Sequence, residues 1–181
     1  MFQRLSFNLQ DIDISRLKGQ FLEAYGPTFR QYAILDQEHL NSLLSTQVRF
    51  HIPPNMLCYT EITDVGAPDP HTDSSMTALN YYISTSNCTT VFWRSVNPDN
   101  RTMIPRVSDD DPLGVSTTYA YDVRDLRVQG SFVAKNHEAY LLNTHQIHSV
   151  RKSRTSPHRC MIRWLWYQIP YEQVLESIEI L

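Results

Sequence analysis

The sequence lacks any apolar run close to the ~20 residues that a membrane-spanning helix needs. It also lacks a paired-cysteine motif. Cys58, Cys88 and Cys160 form no CxxC and are odd in number, which argues against a zinc knuckle or a disulfide framework and leaves buried thiols in a reducing compartment. Clustered basic residues are missing too. With 16 Lys plus Arg against 19 Asp plus Glu and a net charge of -3, there is no broad surface to track phosphates, so a nucleic-acid partner is not expected. The one short basic run, Arg151-Lys152-Ser153-Arg154, reads as a solvated turn. Met1-Phe2-Gln3-Arg4 does not open a secretory signal, so a cytoplasmic setting without a membrane partner is expected. In that setting the glycosylation sequons at Asn87-Cys88-Thr89 and Asn100-Arg101-Thr102 carry no meaning. No internal repeat or low-complexity stretch is visible.

What is present is enough for a real core: 181 residues, 41% hydrophobic and 11% aromatic, predict one domain. Apolar residues at Ile14, Leu17, Phe21, Leu22 and Tyr25 fall at helical spacing and predict a helix over 13–25, closed by Gly26-Pro27. A brief strand at 32–35 and a short helix over 38–44 follow. After Pro53-Pro54 the texture changes to short β-like runs separated by turn residues: 55–63, 78–84, 89–93, 117–123, 130–134, 138–143, 148–150 and 158–167. Strands in succession without intervening helices predict a sandwich or jelly roll. A last helix is expected over 171–180. The expected organisation is a helical N-terminal support (1–54), a jelly-roll core (55–167) and a C-terminal helix (168–181). The segment 94–116, with Pro98, Pro105, Pro112 and Asp109-Asp110-Asp111, interrupts the strand rhythm and is expected to be a long loop covering the site.

The chemistry centres on His71-Thr72-Asp73. In an extended segment residues two apart share a face, so His71 and Asp73 can present an imidazole nitrogen and a carboxylate oxygen to one ion. A third ligand must come from elsewhere, and the run Leu141 to Val150 ends in two candidates, His145 and His148. Three residues apart in a strand, these face opposite sides, so only one can join. Two His and one carboxylate with the remaining positions open form the ligand set of a non-haem Fe(II) oxygenase. Further on, Arg159 and Arg163 lie four apart on one face of the last long strand, and a planar guanidinium suits a carboxylate.

Taken together, His71-Thr72-Asp73, Ala78-Leu79-Asn80-Tyr81-Tyr82, Thr89-Thr90-Val91-Phe92-Trp93, Tyr140 to Thr144 with His148-Ser149-Val150, and Arg159 resemble the Fe(II)/2-oxoglutarate-dependent dioxygenases over about residues 55 to 167. The resemblance implies a mainly β protein, a double-stranded β-helix or distorted jelly roll, with the N-terminal helices and short C-terminal helix added around it. It implies Fe(II) held by His71, Asp73 and His148, since a His followed by Ser-Val at the start of a strand fits the family's distal ligand; His145 is then a turn residue. It implies 2-oxoglutarate as cosubstrate and O2 as oxidant, with Arg159 on the far carboxylate and Asn80 and Tyr82 adding hydrogen bonds. Arg163 is the alternative arginine, because the family's Arg-x-Ser pattern has Met161 in place of the serine. The substrate, a small molecule or a peptidyl side chain, is not written in these residues. Two other readings stay open: a non-catalytic jelly-roll binding module, and a cupin-like metalloenzyme without a keto acid, although the HxH and Glu usual in cupins are absent. The carboxylate at Asp73 argues against a halogenase.

Overall fold

Every residue of the strand Arg159–Trp166 is buried, yet its two faces differ in chemistry. Cys160, Ile162, Trp164 and Trp166 enter the largest apolar cluster, whereas Arg159, Met161, Arg163 and Leu165 line a cavity. Period-two alternation separates the two sets, and burial on both sides places this strand inside a sheet between two layers.

The structure is a computed structural model describing residues 1–9, 12–25, 29–62, 69–103, 119–151 and 158–181. In chain order the elements are β1 (Phe2–Leu5), β2 (Lys18–Tyr25), β3 (Phe29–Ile34), α1 (Gln37–Ser45), β4 (Val48–Phe50), β5 (Met56–Ile62), β6 (Thr77–Ser84) and β7 (Thr89–Ser95). There follow β8 (Arg101–Met103), β9 (Tyr119–Tyr121), β10 (Leu126–Val133), β11 (Ala139–Asn143), β12 (His148–Arg151), β13 (Arg159–Trp166), α2 (Tyr171–Glu176) and β14 (Ile178–Ile180). One sheet runs β1-β11-β6-β13-β5-β3-β2, and a smaller one runs β10-β7-β12. His71 bridges both His148 and Ala120, so it joins β12 to the β8–β9 hairpin and extends the smaller sheet. The result is a mainly β jelly-roll sandwich.

The outer face of the large sheet buries Leu79, Tyr81, Leu141, Ile162 and Trp164 against Leu40 and Leu44 of α1 and Tyr171 and Val174 of α2. Between the sheets, Tyr82, Tyr140, Leu142 and Met161 meet Phe92 and Phe132. Phe132 stacks on Tyr140 with ring centroids 4.1 Å apart. The cavity adjoins this cluster and shares Tyr82, Leu142 and Met161 with it.

Residues 13–25 are not a helix. A single 3-10 turn at Ile14–Arg16 leads into β2, which pairs with β3 at the sheet edge. The register slips twice, between Lys18 and Phe21 and between Phe21 and Glu23, and each slip breaks the two-residue alternation by which a strand is recognised. Apolar residues spaced by bulges imitate a helical stripe, but Phe21 and Leu22 are exposed. Gly19 belongs to the strand: a Cβ there would stand 2.8 Å from the Ala33 carbonyl oxygen. Among the described residues, 1–54 therefore hold four strands and one α-helix. That helix is where it was expected, with the Asp36 carboxylate accepting from the His39 N–H at its start. The C-terminal helix stops at Glu176, because Ile178–Ile180 pairs with β4 instead. Within the expected long loop, β7 continues to Ser95 and Arg101–Met103 pairs with β9; the remainder, 104–116, lies outside the described residues. Of the basic run, only Arg151 is described, stacked 4.8 Å from the Trp93 ring. Among the described residues, no helix is long and apolar enough to cross a membrane.

Candidate metal centre

Backbone pairing holds the two histidines side by side. The His71 N–H donates to the His148 carbonyl (2.9 Å) and the His148 N–H to the His71 carbonyl (2.8 Å), which sets the ring centroids 4.7 Å apart. Each ring is then turned by a carbonyl on its own chain. His71 Nδ1 lies 2.6 Å from the Asp69 oxygen and His148 Nδ1 2.9 Å from the Gln146 oxygen. A carbonyl only accepts, so both Nδ1 atoms carry hydrogen and both Nε2 atoms are left for another partner. They point at one oxygen: Asp73 Oδ1 stands 3.3 Å from His71 Nε2 and 3.6 Å from His148 Nε2. The ligand atoms of all three residues lie within 4.8 Å of one another, so the group could hold a metal ion.

The electrostatics follow from that convergence. Burial pushes the His71 pKa down, but the hydrogen bond and charge of Asp73 prevail and leave it above the ordinary imidazole value. For Asp73, burial alone would raise the carboxyl pKa; His148, His71 and Arg163 instead hold it well below the usual carboxylate range. Burial takes His148 down to about 4, Asp73 opposing and the charge of His71 assisting. Two Nε2 lone pairs and a carboxylate oxygen aimed at one point repel one another unless a cation lies among them. A proton on His71 satisfies one contact, whereas a divalent ion takes all three.

The two arginines of β13 lie at different parts of the same cavity, whose volume is about 380 Å³. Arg163 donates Nη2 to Asp73 Oδ2 (2.9 Å) and Nε to Asn80 Oδ1 (3.1 Å). Arg159 is two turns of the pleat away, roughly 13 Å along the strand. It is buried, donates Nη2 to Thr90 Oγ1 (2.9 Å), and lies 4.5 Å from the Tyr82 ring centroid. Its Nε is buried with no partner. Thr90 reaches Arg159 from the opposite sheet. Asn80 is occupied on both sides, its amide nitrogen donating to the Tyr82 hydroxyl (3.3 Å).

Of the residues expected from sequence, His71, Asp73 and His148 come together, and Asn80, Tyr82, Arg159 and Arg163 line the cavity beside them. His145 is exposed and stands apart from the cluster. Two cavity residues carried no sequence signal. Thr90 acts only across the two sheets, and Gln31 on β3 is buried with its Oε1 unpartnered. The strand spacing of Phe29–Ile34, read two residues further back, would have placed Gln31 on the inner face.

No protein-family model matches the chain, and no curated protein matches it. Among solved structures, it is similar to vicilin from Corylus avellana (hazelnut), with 11% identity and a TM-score of 0.41, over 92% of this chain and 34% of that one. A mutant of Bacillus subtilis oxalate decarboxylase is similar at 10% identity and a TM-score of 0.37, over 90% of this chain and 30% of that one. The chain spans about a third of the length of these structures. Likenesses this distant leave function to be read from the side chains.

Proposed function

We propose that the chain is an Fe(II)- and 2-oxoglutarate-dependent oxygenase that oxidises a small-molecule or peptidyl substrate. The observation that carries this reading is a pair of needs in one cavity. At one place two Nε2 atoms and Asp73 Oδ1 converge on one point, and at another a buried guanidinium has an Nε without an acceptor. A divalent ion held at the first place and a keto diacid reaching from it to the second would meet both, since one end of the diacid can chelate the ion while the other accepts from an arginine.

Iron with bound keto acid and O2 supplies the oxidation, releasing succinate and CO2. The chain's own residues do the rest. His71, His148 and Asp73 hold the ion from one side. Arg159 takes the distal carboxylate, backed by the Tyr82 ring and steadied by Thr90. Ile62, Leu142 and Met161 on the inner face keep water away. A cytoplasmic setting belongs to the same proposal, and so does the action of the chain as one domain.

The test is Fe(II)- and 2-oxoglutarate-dependent O2 consumption by the purified protein, with succinate measured in parallel. Metal binding without any effect of 2-oxoglutarate would favour a cupin-like metalloenzyme. Binding of neither would favour a non-catalytic jelly-roll module.

A further inference from the structure

Arg163 reaches the metal centre without touching the point where the ligand atoms meet. Its Nη2 is bonded to Asp73 Oδ2, while Oδ1 of the same carboxylate faces the two Nε2 atoms. The guanidinium is fixed in turn. Arg163 pairs with Asn80 across β13 and β6, its Nε donates to Asn80 Oδ1, and its side chain is 9% exposed. A charge-assisted bond in so buried a place is much stronger than one in water, so Oδ2 is not available to an ion on the Oδ1 side.

We infer that Arg163 is a positioning residue that keeps Asp73 a one-oxygen ligand and thereby preserves an open coordination position; this rests on the oxygenase reading. In a six-coordinate ion, two imidazoles and one carboxylate oxygen leave three positions. A keto acid chelating through two oxygens leaves one of them free. A carboxylate bound through both oxygens would close that last position or push the keto acid to single-point attachment. Released from Arg163, Asp73 would have an unpaired oxygen in a half-buried site, and the cation would be its nearest partner. The second arginine of β13 therefore sets the number of ligands that the centre admits, while the first sets which keto acid it holds.

The test uses anaerobic Fe(II)-loaded protein with nitric oxide as the probe of a free position and the keto-acid charge-transfer absorption as the probe of chelation. Wild type with 2-oxoglutarate should show the absorption band and bind nitric oxide. Arg163→Gln should lose at least tenfold in nitric oxide affinity when 2-oxoglutarate is present, or lose the band, while still binding Fe(II). Arg163→Lys, whose ammonium can still reach Oδ2, should stay within a few-fold of wild type. If Arg163→Gln keeps both signals unchanged, the inference is overturned. Should Arg163→Gln not fold, an anaerobic crystal structure of the wild-type Fe(II) complex decides: Asp73 Oδ2 on Arg163 supports the inference, and both carboxylate oxygens on the metal overturns it. Wild type that binds neither Fe(II) nor 2-oxoglutarate would be a failure of the oxygenase reading, visible before any variant is made.

Discussion

Arg159 and Arg163 occupy one face of one strand, and the protein treats them differently. Arg163 has a carboxylate and an amide oxygen on its donors, a closed account of charge and hydrogen bonds. Arg159 has, among the described residues, one neutral hydroxyl, an aromatic face, no acid and a stranded Nε. A buried cation without a counter-ion is costly, and folded chains rarely keep one to no purpose. The difference marks where an anion is missing. At Arg163 the anion is part of the chain; at Arg159, on the function proposed above, it arrives with the keto acid.

The comparison breaks first at the metal. His71→Ala, Asp73→Ala and His148→Ala should each weaken Fe(II) binding by more than the ~10–100-fold typical of outer-shell changes. His145→Ala should leave it unchanged, since His145 is exposed and outside the cluster. Anaerobic titration of the four variants checks this, and loss in His145→Ala with retention in His148→Ala would mean the wrong histidine has been chosen.

The next contrast is in stability without ligand. Arg163→Met should destabilise the apo protein by about 1–3 kcal/mol, because it takes a charged partner from the half-buried Asp73 carboxylate and leaves Asn80 Oδ1 unpaired. Arg159→Met removes no ion pair and should change stability far less, as read by denaturant midpoints. Its effect should fall on cosubstrate affinity instead, with a loss of about 2–5 kcal/mol for a buried charge-assisted contact. Arg159→Lys should recover only part of that affinity, since a point charge cannot reproduce the guanidinium fork. Equal losses of stability in the two Met variants would erase the distinction between the arginines.

How much of this was legible beforehand depended on whether the signal was local. The spacing of His71 and Asp73, two apart in an extended segment, is enough to put both side chains on one face. The even-residue apolar set Cys160, Ile162 and Trp164 likewise announces a strand. Bulges hid β2, because a slipped register erases the period, and pairing with a distant strand turned the end of the last helix into β14. The roles of the arginines were not separable, since alternation puts both on the same face. What separates them is the descent of the His71–Asp73 segment over one and of β7 over the other, with partners 90 and 69 residues away. Gln31 was missed for a local reason: the expected strand began at Tyr32, one residue after it.

The smallest expected effect is at Gln31, and it sharpens the idea that stranded polar atoms mark ligand space. Gln31 is 3% exposed, lines the cavity from β3, and has a buried Oε1 without a partner. A buried acceptor left unpaired costs about 1–3 kcal/mol, whereas an apolar side chain of similar length in its place costs little. Gln31→Met should therefore leave Fe(II) and 2-oxoglutarate binding intact and stabilise the apo protein by about 1 kcal/mol, a rise of ~2–4 °C in Tm for a chain of this size. The gain would identify Gln31 as a residue kept for contact with a bound molecule at the expense of stability, in the way that functional sites commonly are. A fall in Tm, measured by calorimetry on the metal-free protein, would mean that the amide is held by the fold itself, and the stranded Nε of Arg159 would then be the sole such mark on the described cavity wall.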